Sequence, residues 1–202
     1  MYEPTAYSPK EIAAFQGLFR LAACGKHFSS IKVQDIATAA GIGKGTLYEY
    51  FSSKEEILSS AVVYAMEKIV GWMEKQLKNP VSLYQILDGF VEELQTENLL
   101  PFSSLISLIS MVSMEQRKQI QEQNHERMRR ILAQMQRYEQ QIFAIGRKNG
   151  EIAPELDDIF CEYVVISALA GIAGRNLGSH QCLEGKNDWD MARKLVFRSL
   201  RP

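Results

Sequence analysis

Residues 33–51 constrain this chain most: Val33-Gln-Asp-Ile-Ala-Thr-Ala-Ala-Gly-Ile-Gly-Lys-Gly-Thr-Leu-Tyr-Glu-Tyr-Phe51. Ile36, Ala37 and Ala40 make one apolar helical face. Gly41 follows, where the chain must turn and a Cβ would strain the backbone. Ile42 plugs the corner. Leu47, Tyr50 and Phe51 then read as the buried face of a second short helix. The other face carries Lys44, Gly45, Thr46 and Tyr48, small or polar groups suited to phosphates and base edges. An alanine near the fifth position, a glycine near the ninth and an apolar residue near the fifteenth form the pattern of a helix-turn-helix.

Charge amount does not make this a nucleic-acid binder. The 202 residues carry a formal net charge of −1. Residues 1–60 hold six bases (Lys10, Arg20, Lys26, Lys32, Lys44, Lys54) against six acids (Glu3, Glu11, Asp35, Glu49, Glu55, Glu56). Affinity for DNA must come from where the charges sit, which favours a small, defined footprint over nonspecific binding.

Asp35-Ile-Ala37, Ala40-Gly-Ile42, the run Gly43-Lys-Gly-Thr-Leu-Tyr-Glu-Tyr-Phe51 and Ser53-Lys-Glu55 resemble the DNA-binding domain of the TetR family of bacterial transcriptional regulators. The resemblance covers roughly residues 8–60. It implies an all-α fold, with a three-helix helix-turn-helix domain over residues 1–54. A helical ligand-binding and dimerisation domain is implied over residues 55–202. It also implies a homodimeric regulator, expected to be a repressor, that leaves a palindromic double-stranded DNA operator when a small apolar or amphipathic effector binds.

The flanking residues support the reading. Ser8, Pro9 and Glu11 open a helix as a capping box with proline in its first turn, and Phe15, Leu18 and Phe19 give it an apolar stripe. Lys32 stands where relatives often have a threonine cap. A lysine cannot accept the capping hydrogen bond, so Ser30 is the expected cap. Ser52 and Ser53 start a helix running to about Lys78, which would join the two domains without a flexible linker. Lys44 and Thr46 are expected at base edges or nearby phosphates, Tyr48 and Lys54 at the DNA backbone, and Lys32 either reaches a phosphate as a point charge or stays a solvated surface lysine. Gly45 is expected to allow close approach.

Beyond residue 60 no motif appears, only helical periodicity. Residues 102–114 are nearly all apolar or serine, as in a helix buried all round. Residues 115–130 are so polar that a solvated stretch is expected. Phe90, Met111, Met114, Met135 and Tyr138 are candidate pocket residues, and plain core is the competing reading for each. The helix around 158–177 is dense in small residues. With the resemblance, this points to a dimer interface at Leu169, Gly171, Ile172, Gly174, Leu195 and Val196. A second class stays open: a helical DNA-binding architectural or partner-regulated protein, docking through 115–130 without a small-molecule inducer.

No catalytic constellation is found. Glu122 and His125 form a single Glu-x-x-His pair, whereas a di-metal bundle needs two pairs and further carboxylates. Cys24 with His27 and His180 with Cys182 could supply four zinc ligands, but no second cue joins them. No metal, cofactor or enzymatic activity is expected. Three widely spaced cysteines suit a reducing compartment. No apolar run reaches the ~18 residues of a membrane span, and the N-terminus lacks a secretory pattern. A cytoplasmic location away from membranes is expected.

Overall fold

The computed structural model describes residues 6–24, 26–79, 82–94, 113–178 and 186–202. Its α-helices are α1 (Pro9–Ala23), α2 (Val33–Ala40), α3 (Lys44–Tyr50), α4 (Lys54–Lys78), α5 (Leu83–Leu94), α6 (Met114–Gln123), α7 (His125–Lys148), α8 (Asp158–Gly178) and α9 (Lys186–Leu200). A 3-10 turn spans Phe28–Ser30. Among the described residues every regular element is helical, as the sequence predicts. Residues 102–112, expected as a buried helix and including Met111, lie outside the described residues, as do His180 and Cys182.

Two compact units result: Met1–Ile69 with Leu99–Leu132, and Val70–Asn98 with Ala133–Pro202. The first is built on α1. Ser8 caps it: the Glu11 N–H donates to Ser8 Oγ, and the Ser8 N–H donates back to the Glu11 carboxylate. This satisfies two of the helix's orphan donors. Phe15, Leu18 and Phe19 are fully buried from α1. They meet Phe28, Ile31, Ile36, Leu47, Ile57 and Leu58 in one apolar core.

Gly17 sets how closely α1 and α2 approach. A Cβ there would lie 2.9 Å from the Ala40 nitrogen and 3.0 Å from the Ile36 carbonyl oxygen. These are backbone atoms of α2, so the two helices touch main chain to main chain. Arg20 reinforces the seat by donating from Nη2 to the Ala39 carbonyl at the end of α2.

The polar stretch 115–130 departs from expectation. Ile120 is 8% exposed and joins the core of the first unit, with Met128 packed against it. Asn124 Nδ2 donates to the buried Ser59 Oγ at 2.8 Å. Arg127 reaches the buried Glu67 of α4 through Nε at 3.2 Å and Nη2 at 2.9 Å. Its Nη2 also donates to the Tyr7 hydroxyl at 2.7 Å, and its guanidinium lies 5.3 Å from the Tyr7 ring centroid. Tyr7 in turn packs edge-on against Phe15 and Tyr64. Burial, opposed by the nearby guanidinium, pushes the Tyr7 hydroxyl pKa up to about 12. The stretch therefore has two faces: Ile120, Asn124, Arg127 and Met128 pack inward, while Lys118, Glu122, Glu126 and Arg129 are exposed as expected. Ile120, Asn124 and Met128 recur every four residues, a stripe hidden by the charges around it.

In the second unit Leu83, Ile86, Phe143, Ile152, Cys161 and Leu200 are buried together with Val196. Glu151 accepts from the Leu83 N–H at 2.8 Å, and the Ala153 N–H donates to the Leu200 carbonyl at 2.7 Å. Asp157 caps α8, accepting from the Phe160 N–H at 2.7 Å. α8 and α9 pack against each other.

Candidate DNA-binding surface

The corner between α2 and α3 is closed by Gly41 at φ 68°, a left-handed conformation that side chains resist. The Ile42 N–H returns to the Ala37 carbonyl at 3.0 Å and the Gly41 N–H to the Thr38 carbonyl at 3.2 Å. These bonds satisfy the last carbonyls of α2 and aim the chain into α3. Leu47 and Phe51 are buried at 1% and 4%. They fix the rotation of α3 about its axis.

That rotation leaves Lys44, Gly45, Tyr48 and Glu49 exposed and Thr46 half-buried. Lys44 Nζ lies 5.9 Å from the Tyr48 ring centroid, so cation and phenol share one edge of the helix. Nothing lies within 4 Å of where a Cβ on Gly45 would stand. Tyr50, read from spacing as buried, is 38% exposed. The core is centred between Leu47 and Phe51, which leaves position 50 at its margin.

Two residues beside the motif differ from their sequence reading. Ser30 does not cap α2: its hydroxyl donates to the His27 carbonyl. Lys32 takes the N-cap position through its backbone, and its N–H donates to the Asp35 carboxylate at 2.9 Å. The Asp35 charge also complements the positive end of the α2 dipole. The Lys32 side chain stays exposed.

Lys54, expected at a phosphate, turns inward instead. Its Nζ donates to the Phe28 and Ile31 carbonyls at 3.0 Å each and sits 4.4 Å from the Phe28 ring centroid. The ammonium thus ties the 3-10 turn to the start of α4. Ser53 Oγ caps that helix by accepting from the Glu56 N–H at 3.1 Å.

The candidate pocket residues fall in both units, and Met111 lies outside the described residues. Phe90 and Tyr138 are buried and Met135 is half-buried in the second unit, whereas Met114 is 78% exposed in the first. Phe90 has Trp72 at 4.8 Å between ring centroids. Of the residues assigned to a dimer interface, Leu195 and Gly171 are exposed and Leu169 is half-buried. Val196 is 4% exposed in the core of its own unit, so a partner would cover Leu195 rather than Val196. Ile172 and Gly174 fall late in α8, and their surroundings lie outside the described residues. Spacing alone missed a set of exposed apolar side chains: Ile159, Tyr163 and Ile166 on α8 and Met191 on α9. The first three recur at i, i+4 and i+7, one face of a helix.

Glu139 of α7 stands out electrostatically. Burial, together with the charge of Glu162 on α8, raises its carboxyl pKa to about 7. Among the described residues no three His, Cys, Asp or Glu side chains gather as metal ligands. No described helix is long and apolar enough to cross a membrane.

Residues 26–61 match the sequence profile of "Bacterial regulatory proteins, tetR family". Nearly the whole chain is similar in fold to solved structures. The transcriptional regulator FadR from Bacillus subtilis in complex with stearoyl-CoA is 21% identical, with TM-score 0.64 over 93% of this chain and 95% of that one. The fatty acid degradation regulator FadR from Bacillus halodurans is 17% identical, with TM-score 0.70 over 97% of each chain. PfmR from Thermus thermophilus, a TetR-family transcriptional regulator, is 24% identical, with TM-score 0.60 over 94% of this chain and 99% of that one. No curated protein matches the sequence.

Proposed function

We propose that this chain is a TetR-family transcriptional regulator with its DNA-binding segment at residues 26–61, a homodimeric, cytoplasmic repressor released from its operator by a small apolar or amphipathic ligand. The observation that carries the DNA-binding part is the exposed edge of α3. Lys44, Gly45 and Tyr48 lie on a helix whose rotation is set by the buried Leu47 and Phe51. Each α3 enters a major groove of a near-palindromic site with half-sites ~34–36 Å apart or a multiple of that. Lys44 and Thr46 meet base edges or nearby phosphates, Tyr48 the backbone, and Lys32 the margin. Gly45 permits close approach.

The exposed Ile159, Tyr163, Ile166, Met191 and Leu195 of α8 and α9 support association through that face with a second copy. Exposed apolar side chains at this density, three of them on one face of α8, are costly to leave in water. An acyl-CoA is the first ligand to test, because the similar B. subtilis FadR structure holds stearoyl-CoA. Such a ligand weakens DNA binding only by the difference in its affinity for the DNA-competent and incompetent states.

The test is selection of genomic fragments by the purified chain, followed by anisotropy titrations of the selected operator with and without stearoyl-CoA. Light scattering at micromolar concentration should give twice the chain mass of 22.9 kDa. Failure to enrich any sequence would refute the reader assignment. A monomer would refute the dimer, and unchanged operator affinity across acyl-CoA chain lengths would refute this ligand class.

A further inference from the structure

We propose that Glu49 is a specificity-determining residue that selects cytosine at one position of each half-site by accepting a hydrogen bond from its N4 amino group. This rests on the reading of α3 as the helix that enters the major groove.

Geometry comes first. Successive residues of an α-helix are rotated by ~100°. With Leu47 and Phe51 both buried, the direction opposite their midpoint falls roughly on Glu49. Gly45 lies about 40° to one side of it, one turn back. Glu49 is thus the most outward side chain of α3, further round from the core than Lys44 or Tyr48. Nothing occupies the space beside Gly45, so the surface N-terminal to the carboxylate is bare.

Charge comes next. Among the described residues the Glu49 carboxylate has no ion pair or hydrogen bond. Within α3 the neighbours that could hold a counter-charge at i−3 and i−4 are Thr46 and Gly45, neither of them basic, and the chain leaves the helix after Tyr50. Lys44, the cation of α3, lies over Tyr48, roughly 140° around the helix from Glu49 by the same rotation. The neighbouring carboxylate of Glu56 differs: it is occupied by the Ser52 N–H at 2.7 Å and by the Ser52 hydroxyl.

An ionised carboxylate only accepts hydrogen bonds. On a duplex it is repelled by phosphates, by guanine O6 and N7 and by thymine O4. The donors in the major groove are cytosine N4 and adenine N6. Adenine presents N7, a second acceptor, beside its amino group, and this opposes the other carboxylate oxygen. Cytosine presents only carbon there. Cytosine is therefore the partner that offsets the cost of placing this charge against DNA.

Randomised-site selection with the full-length chain and its E49A and E49Q variants tests the assignment. The wild type should enrich cytosine at one position per half-site. E49A should lose that preference, a change of roughly 5- to 150-fold against the wrong bases, and keep the rest of the consensus. It should also bind scrambled DNA more tightly at low salt, because a repelling charge is gone. E49Q should move the same position towards adenine, since an amide both donates and accepts and so fits N7 with N6. An E49A consensus identical to wild type at every position overturns the proposal while the reader assignment stands, even if affinity rises uniformly. A wild-type chain that enriches no sequence overturns both.

Discussion

Replacing Arg127 by methionine should loosen the first unit more than any change at the exposed surface of α3. Glu67 is 4% exposed at its side chain and Arg127 30%. The substitution keeps most of the apolar stem but leaves the Glu67 carboxylate buried without its guanidinium. Breaking a buried pair from one side costs ~3–5 kcal/mol when both partners are fully desolvated. Arg127 keeps partial access to water, so ~2–3 kcal/mol is the better expectation. Its hydrogen bond to Tyr7 and its place over that ring are lost as well. At ~2–4 °C per kcal/mol for a chain of this length, the melting temperature should fall by ~4–12 °C. Replacing Glu67 and Arg127 together with methionine should recover much of the loss, because removing both charges leaves no buried ion. The assay is a double-mutant cycle by urea unfolding, with tryptophan fluorescence and circular dichroism as separate probes. Single variants within ~0.5 kcal/mol of wild type, the range of ordinary surface changes, would refute the reasoning. So would a double variant no more stable than the sum of the singles predicts.

Two further outcomes are expected. Lys54→Ala should lower the stability by on the order of 2 kcal/mol and the melting temperature with it, because two carbonyls lose a charged donor; a variant that melts like wild type and shows only a shallower salt dependence of DNA affinity would return Lys54 to the phosphates. Glu139 has a folded pKa of about 7, above its unfolded value, so its folded carboxyl binds the proton more tightly, and the stability this contributes is full in acid and lost as pH rises through the folded pKa. Glu139→Gln should accordingly gain on wild type in thermal melts between about pH 5 and 8, and a pH-independent difference would refute this.

The helix-turn-helix was legible because backbone requirements write it in glycine and alanine: Gly41 needs its left-handed conformation, and the buried positions follow at helical spacing. The cap at Ser8 was legible for the same reason, since a short polar side chain can do little else at a helix start. What spacing could not supply was direction. Lys54 was correctly placed at the head of α4, but a four-carbon stem reaches solvent or the Phe28 carbonyl with equal ease. Leu195 and Val196 differ by one residue and therefore by ~100° of rotation. Only tertiary packing decides which of them faces the core of its own unit. Ile120 and Met128 were obscured by composition, because the stripe they form with Asn124 is polar in its middle member. Its partner, Ser59, lies 65 positions away.

The seat of α2 on α1 bears on how freely such reading heads can be exchanged. A helix-turn-helix invites treatment as a cassette, lifted from one chain and set into another to change the site it reads. Here the docking surface is Gly17 against the backbone of Ile36 and Ala40, with the Ala40 Cβ itself 3.1 Å from where a Gly17 Cβ would stand. One side of the contact has no side chain and the other only a methyl group. A transplanted α2 with a larger residue at position 40, or a recipient α1 without glycine at 17, would meet backbone rather than a movable side chain. The exchangeable module is therefore α1 through α3 taken together, and a transplant confined to residues 33–51 would carry the reading surface without the angle at which it is held.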